Sequence, residues 1–224
     1  MKLFFTGVFA VIFCFISHSQ NSYALFGGPQ ATSAKYEVRG NKQETGQKLG
    51  GQLGIMGKFP VEGGLYFAPS FNYSHKGYKV NFSERDTLPG IDVVKNNVAI
   101  HTMEISPLFH INLSNKPSHF FIQFGPSIDV AVKGIERMTL VDGSTRDQNM
   151  PFKSTAYGRI TSSAIGRLGI ETAQGLLVFA QYTHGLGSLN NADNGPTIRH
   201  RIFGISIGKY LRGNPNVLDT SVKE

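Results

Sequence analysis

Apolar and polar residues alternate with a period of two along most of the chain, which is the pattern of β-strands with two different faces. The clearest segment runs from Phe120 to Lys133, where apolar side chains hold the even positions, and Gln123, Ser127 and Asp129 lie on the other face. The remaining predicted strands, the first of them weak, are 33–39, 46–61, 65–73, 99–113, 157–172, 176–186 and 198–211. The pattern therefore predicts eight strands.

The composition of the two faces indicates the class of fold. The second face is mostly Gly, Ser, Thr, Gln and Asn with isolated charges, whereas a water-soluble sandwich or lipocalin would carry a richly charged outer face. An apolar exterior around small and polar interior residues is typical of a transmembrane β-barrel. Most segments also reach the roughly 9 to 11 residues that a membrane-spanning strand needs.

The lengths of the connections support the same class. If the N-terminus is periplasmic, the turns at 60–63, 114–118 and 173–175 are tight, and the opposite connections at 75–97, 134–154 and 187–197 are long and polar. Only the first opposite connection, near 40–45, is short. Outer-membrane barrels show this asymmetry. We therefore predict an all-β, eight-stranded antiparallel transmembrane β-barrel with short periplasmic turns and long extracellular loops.

The N-terminus has the features of a secretory signal peptide. Met1-Lys2 precedes an apolar run of about 14 residues, too short for a spanning helix of roughly 20, and Ser22-Tyr23-Ala24 forms a small-x-small cleavage signal. Cys14, the single cysteine, lies inside the apolar run, so a disulfide scaffold is excluded. The predicted organisation is a signal peptide (1–24), an N-terminal segment (25–32), an outer-membrane barrel (33–211) and a polar tail (212–224).

The distribution of charge and the motifs restrict the functions that the chain could have. The formal net charge is +7, but the basic residues are spread along the chain, which favours attraction to anionic lipid headgroups and gives no nucleic-acid footprint. His75, His184 and Ser188 lie near the outer lipid interface, yet no spacing links them into a catalytic motif. Neither zinc-ligand spacing nor a phosphate-binding loop is found. The sequence thus predicts no enzyme, no metal and no cofactor.

Two groups of residues are assigned to the barrel wall. Because an eight-stranded barrel has room only for its own side chains, inward charges should pair, with Glu104 facing Arg159 and Arg167. The predicted lumen charges are Lys48, Glu104, Asp129, Lys133, Arg159, Arg167 and Glu171. The predicted aromatic girdles are Phe59, Phe67, Phe109, Phe120 and Tyr210 at the periplasmic level, with Tyr73 and Tyr182 at the outer level.

Five stretches carry a family resemblance: 64–77, 103–108, 124–126, 165–171 and 182–186. They resemble successive strands of the small "porin family" outer-membrane β-barrel proteins, and the resemblance covers about residues 46–211. It implies an eight-stranded barrel in the bacterial outer membrane and names no chemistry. One departure is the end of the chain. Such barrels usually end on an aromatic residue of the last strand, whereas here Leu211 follows Tyr210 and a polar tail continues.

The leading hypothesis for function is a membrane-embedded structural or interaction scaffold, monomeric and surrounded by outer-membrane lipid. Its long loops at 76–97 and 134–153 would either form projecting hairpins whose unpaired edge binds a protein partner by strand addition, or merely shield the barrel mouth. Two alternatives stay open at this point: a narrow pore for small solutes or ions, and a secreted lipocalin-like ligand binder.

Overall fold

The computed structural model describes residues 21–82, 93–193 and 195–211. The predicted tail at 212–224 and residues 1–20 of the predicted signal peptide lie outside these ranges. The strands are β1 Ser22–Val38, β2 Asn41–Lys42, β3 Glu44–Gly46, β4 Lys48–Glu62, β5 Leu65–Asn81, β6 Val93–Asn112, β7 His119–Leu140, β8 Thr145–Asn149, β9 Ile160–Glu171, β10 Leu176–Gly185 and β11 Thr197–Tyr210. Among the described residues, no helix is long and apolar enough to cross a membrane.

The eight long strands close into a ring. In order around it they are β1, β4, β5, β6, β7, β9, β10 and β11, all paired antiparallel, and β11 pairs with β1 from Ala24↔Tyr210 to Glu37↔Thr197. Closure leaves no free edge around the ring, so the strands satisfy one another's backbone hydrogen bonds. The predicted eight-stranded antiparallel barrel is confirmed.

The two ends of the barrel differ as the connection lengths predict. At the end that holds both strand termini Ser22 and Tyr210, the turns span only 63–64, 113–118 and 172–175. At the other end, β5 and β6 pair as far as Asn81↔Lys95, and β7 continues to Leu140 and pairs with β8. The loop regions 76–97 and 134–153 thus contain projecting strands, which agrees with the projecting-hairpin alternative.

The first strand is longer than predicted. The sequence pattern gives a strand only at 33–39 and a separate segment at 25–32, but β1 begins at Ser22, and residues 25–32 pair with β4 and β11. Gly27, Gly28 and Pro29 interrupt the local alternation, and partners on both sides override that weak signal. Cleavage after Ala24 stays a prediction, and it would remove the first three residues of β1.

The outward face of the ring is apolar. Large exposed side chains on four of the strands point away from the interior, among them Leu49, Leu53, Ile105, Phe124 and Ile205. Because the alternation is strict, the neighbouring side chains point inward and are buried. This is the arrangement of a barrel whose exterior meets lipid.

Glycine permits a close approach between β1 and β11. A Cβ atom at Gly28 would lie 2.0 Å from the backbone oxygen of Ile205 and 2.7 Å from the Cα of Ser206. Backbone atoms cannot turn aside as a flexible side chain can, so a side chain here would push the closing strands apart. At Gly166, by contrast, a Cβ would meet nothing within 4 Å.

We therefore expect Gly28→Ala to lower the free energy of unfolding in detergent by roughly 1 to 3 kcal/mol through overpacking. The matched control, Gly166→Ala, should change it by less than about 0.5 kcal/mol. Thermal unfolding followed by circular dichroism, with heat-modifiable gel mobility as a check of folding, measures both. Equal effects of the two substitutions would contradict the close approach at the β1–β11 closure.

Candidate functional site

Side chains fill the interior of the barrel in layers. One buried apolar cluster, which we call the extracellular plug, lies at the end with the projecting strands and comprises Ala34, Tyr36, Val38, Tyr78, Val80, Val98, Ile100, Ala131, Met150, Leu189 and Ile198. A second, the periplasmic plug, comprises Ala24, Phe26, Met56, Ala68, Phe121, Leu177, Phe179 and Tyr210. Buried polar and charged side chains occupy the space between and beside them.

A three-residue ion cluster lies in the middle of the lumen. The Nζ of Lys76 on β5 is 2.9 Å from Oε1 of Glu104 on β6 and 3.2 Å from Oδ1 of Asp129 on β7. Asn72 donates to the other oxygen of Glu104 at 2.9 Å, and Ser163 donates to Asp129 at 3.2 Å. All three charged side chains are at most 5% exposed. One ammonium group therefore holds two carboxylates that would otherwise repel each other.

A second ion cluster lies at the periplasmic end. Lys58 Nζ is 2.7 Å from Oε2 of Glu171, and the hydroxyl of Tyr210 donates to Oε1 of the same carboxylate at 2.7 Å. His119 Nε2 and His110 Nε2 lie 3.2 Å and 3.7 Å from the two oxygens, and the charged groups are fully buried. Hydrogen-bonding or charged groups thus reach both oxygens of the carboxylate.

The same cluster contains a set of groups that metals use. One ligand atom from each of His110, His119 and Glu171 lies within 4.8 Å of the others. However, the Lys58 ammonium already contacts the carboxylate, and it also lies 4.4 Å from the centroid of the Tyr66 ring. A metal ion would have to displace this buried cation. We therefore assign the cluster to ion pairing within the barrel.

Arg167 occupies the lumen, and within the described ranges no carboxylate lies at hydrogen-bond distance from it. Its Nε donates to Gln181 at 2.7 Å and its Nη1 to Gln123 at 3.2 Å. The guanidinium also lies 5.1 Å and 5.0 Å from the ring centroids of Phe26 and Phe179. Amide oxygens and aromatic faces both favour a guanidinium, so they replace the carboxylate expected from the sequence.

Four of the predicted lumen charges, Glu104, Asp129, Arg167 and Glu171, are buried inside the barrel. Lys48 is partly buried near the extracellular plug, where its Nζ donates to Asn97 Oδ1 at 2.7 Å and to the Val98 carbonyl at 3.1 Å. The partner expected for Glu104 was wrong, because Lys76 fills that place.

Two predicted lumen residues lie elsewhere. Lys133 is exposed because the register of β6 and β7 shifts between His101↔Lys133 and Thr102↔Ala131, and this bulge reverses the facing of the residues beyond it. Arg159 is exposed because it precedes β9 and lies over the ring of Phe152. The alternation in the sequence places both residues inside the barrel. It fails for Lys133 because of the bulge and for Arg159 because the strand begins after it.

Most of the predicted girdle residues face outward. Phe109, Phe120, Tyr73 and Tyr182 are among the exposed large apolar side chains, and the rings of Phe67 and Phe109 lie 6.5 Å apart. Phe59 is half-buried and packs edge-on against Tyr23. Tyr210 does not belong to a girdle. It lies on the inward parity of β11 and reaches Glu171.

Lys58, Lys76 and Glu136 are buried charges that sequence reasoning missed. Lys76 was placed in a loop, although Lys76, Tyr78 and Val80 continue the even-numbered inward positions of β5. If the alternation of β5 is extended beyond Tyr73 along the sequence, it identifies Lys76 as an inward residue. Lys58 likewise continues the even-numbered inward positions of β4, after Gln52 and Met56, and the apolar Met56 on that face obscures the alternation in the sequence.

The projecting strands form a polar sheet outside the ring. Arg137 on β7 donates two hydrogen bonds to Asp147 on β8, each 2.7 Å long, and this contact raises the pKa of Arg137 and lowers the pKa of Asp147. On the buried side of the same hairpin, Gln148 and the hydroxyl of Tyr157 donate to Glu136 at 2.9 Å and 2.5 Å. Side chains thus tie this hairpin together on both faces.

A closed antiparallel ring with an apolar exterior and a filled polar interior defines an integral outer-membrane β-barrel protein. The model of the family described as "Outer membrane protein beta-barrel domain" matches residues 18–191. The chain belongs to this family, and it is a protein of the bacterial outer membrane.

Solved structures are similar over most of the chain at low identity. Ail, the attachment invasion locus protein of Yersinia pestis, solved in complex with the heparin analogue sucrose octasulfate, is 9% identical, with a TM-score of 0.44 over 85% of this chain and 99% of that chain. OprG of Pseudomonas aeruginosa is 10% identical, with a TM-score of 0.47 over 86% and 97%. Neisserial surface protein A is 14% identical, with a TM-score of 0.41 over 83% and 97%. No curated protein sequence matches.

The central ion cluster gives a stability prediction. Lys76→Met leaves Glu104 and Asp129 buried side by side without their cation, which should cost about 3 to 5 kcal/mol of unfolding free energy. Lys79→Met, which removes an exposed lysine from the same strand, is the matched control and should have little effect. Unfolding in detergent, followed by circular dichroism, compares the two.

The double variant Lys76→Met/Glu104→Gln tests the reason for the loss. It removes one of the two stranded carboxylates, so it should recover part of the stability that Lys76→Met loses. If the double variant is no more stable than Lys76→Met, charge stranding is not the cause.

Proposed function

We propose that this outer-membrane barrel is a non-conducting scaffold that binds a protein partner through its extracellular sheet. The single observation that carries the proposal is β8, a strand above the membrane that pairs with β7 on one side and, among the described residues, has no strand paired to its other edge. Export by a signal peptide cleaved after Ala24 and a monomeric barrel are part of the same proposal.

The filled lumen supports the absence of conduction. The two apolar plugs lie towards opposite ends of the interior, and between them the central ion cluster and Arg167 are at most 5% exposed. At each plug, a hydrated ion would have to push apart packed apolar side chains and lose its hydration shell. This arrangement favours the scaffold over the narrow pore. The apolar, lipid-facing exterior likewise disfavours a soluble lipocalin-like carrier.

The extracellular sheet is long enough to stand clear of the membrane surface. On β5, the strand continues eight residues beyond the outer-level Tyr73 to Asn81, which is about 26 Å at roughly 3.3 Å per residue. Two strands further around the ring, β7 extends from Lys133 at the lipid-facing surface to Leu140. The paired strands β5, β6, β7 and β8 therefore hold the free edge in a fixed position above the lipid.

Ladder geometry shows which groups of β8 are free to bind. Leu140 N–H donates to Ser144 at one end of the β7–β8 ladder, and Met150 N–H donates to Gly134 at the other. Since hydrogen-bonded pairs alternate in an antiparallel ladder, the even-numbered residues of β8 bond to β7. Thr145, Asp147 and Asn149 then direct their backbone N–H and C=O groups towards solvent, as strand addition requires.

The edge can be blocked without disturbing the hairpin. Thr145→Pro removes an N–H that faces away from β7, and proline is tolerated at such edge positions. A photo-crosslinking residue at position 147 in intact cells should give an adduct that Thr145→Pro abolishes. The control Thr145→Val keeps the N–H and should keep the adduct. Survival of the adduct in the proline variant would contradict binding by strand addition.

Conductance tests the other half of the proposal. Folded protein in a planar bilayer should give no steady single-channel steps at neutral pH. A comparison variant, Tyr78→Ala/Phe179→Ala, removes one large side chain from each plug and should pass more current than the natural chain. Steady single-channel steps from the natural chain would contradict the non-conducting scaffold and favour the narrow pore.

A further inference from the structure

Basic side chains form an incomplete ring on the outward face of the barrel, just above its apolar band. On one side, His75, His101 and Lys133 are register partners across β5, β6 and β7. On the other, His184 is opposite Arg201, and Lys35 is opposite Arg199. Of the outward-facing residues in the outer halves of the barrel strands, as far as the structure describes them, only Glu37 is acidic, and it pairs with Lys35 at 2.6 Å.

A cleft opens in this ring where β9 begins. It has a volume of about 280 Å³ and is lined by Phe152, Lys153, Ser154, Gly158, Arg159, Ile160 and Asn191. The Arg159 guanidinium lies 5.7 Å from the centroid of the Phe152 ring, which holds it in place. None of the ion pairs formed within the described ranges involves Lys153 or Arg159, and both side chains are exposed.

An apolar strip adjoins the cleft. Ile160 on β9 is 68% exposed and pairs with Val130 on β7. On β7, Val132 and Ile128 are 57% and 50% exposed. Lys133 follows Val132 directly, and the Ala131 N–H donates to the Arg159 carbonyl at 2.7 Å. The wall therefore changes from lipid-facing aliphatic side chains to three basic ones within a few residues.

We propose that this cleft binds the phosphorylated headgroup of an outer-leaflet lipid. A phosphate monoester carries about −1.5 to −2 charges at neutral pH, which two exposed cations match. The Arg159 guanidinium offers the planar fork of donors that suits phosphate oxygens. The strip at Ile128, Val132 and Ile160 would contact the acyl chains of the same molecule. A free anion would use the two cations and the guanidinium fork but not the apolar strip, so the geometry favours a lipid.

Removal of the two charges tests the site. Dioleoyl phosphatidic acid is titrated into detergent-solubilised, folded protein, and bound lipid is counted by native mass spectrometry, with dioleoyl phosphatidylcholine as the neutral comparison. Lys153→Gln/Arg159→Gln should weaken phosphatidic acid binding on the order of tenfold or more. Lys116→Gln/Lys209→Gln removes two exposed lysines near the periplasmic end, and this control should bind like the natural chain.

Three results would overturn the assignment. Equal affinity of the natural chain and the Lys153→Gln/Arg159→Gln variant for phosphatidic acid would show that the cleft is not the site. An equal loss in the control variant would show that binding follows net charge alone. Displacement of the lipid by a large excess of inorganic phosphate would assign the cleft to a free phosphate ligand.

Discussion

The rest of the structure depends on one constraint: in lipid, every backbone N–H and C=O group of the strands must find a partner within the protein. The pairing of β11 with β1 meets it by closing the ring. Closure at eight strands then fixes the width of the interior, and that width leaves room for side chains alone. The layered filling of the lumen is a consequence of this geometry.

A narrow interior makes each charge inside it depend on its neighbours. Lys76 holds Glu104 and Asp129 on adjacent strands, and Lys58 with Tyr210 holds Glu171 near the periplasmic end. The first cluster joins the consecutive strands β5, β6 and β7, and the second joins β4 to β9, which is distant in sequence, so both fix the relative register of the strands. The ion pairs and the two apolar plugs close the interior, and the surfaces left for interaction are the exterior and the projecting sheet.

The two ends of the molecule present different surfaces. At the extracellular end, the sheet of β5 to β8 extends beyond the ring, and basic side chains such as Lys133, Arg159, Arg199 and Arg201 face outward beneath it. An exposed strand edge suits a peptide partner, whereas the basic ring suits the headgroups of the surrounding lipid. The proposed protein contact at the edge of β8 and the proposed lipid contact at the start of β9 therefore differ in chemistry.

The sequence by itself determined the features that repeat with the period of a strand: the number of strands, their apolar outer face, the short and long ends, and the inward positions of Glu104, Asp129, Arg167 and Glu171. These depend on local alternation, which an eight-stranded ring preserves. Only the tertiary structure decided where that alternation fails. The bulge opposite His101 turns Lys133 outward, the late start of β9 leaves Arg159 at the rim, and pairing on both sides draws residues 25–32 into β1. It also decided which charges meet, because Lys58 and Glu171 are 113 residues apart in the chain and are brought together by the closed ring.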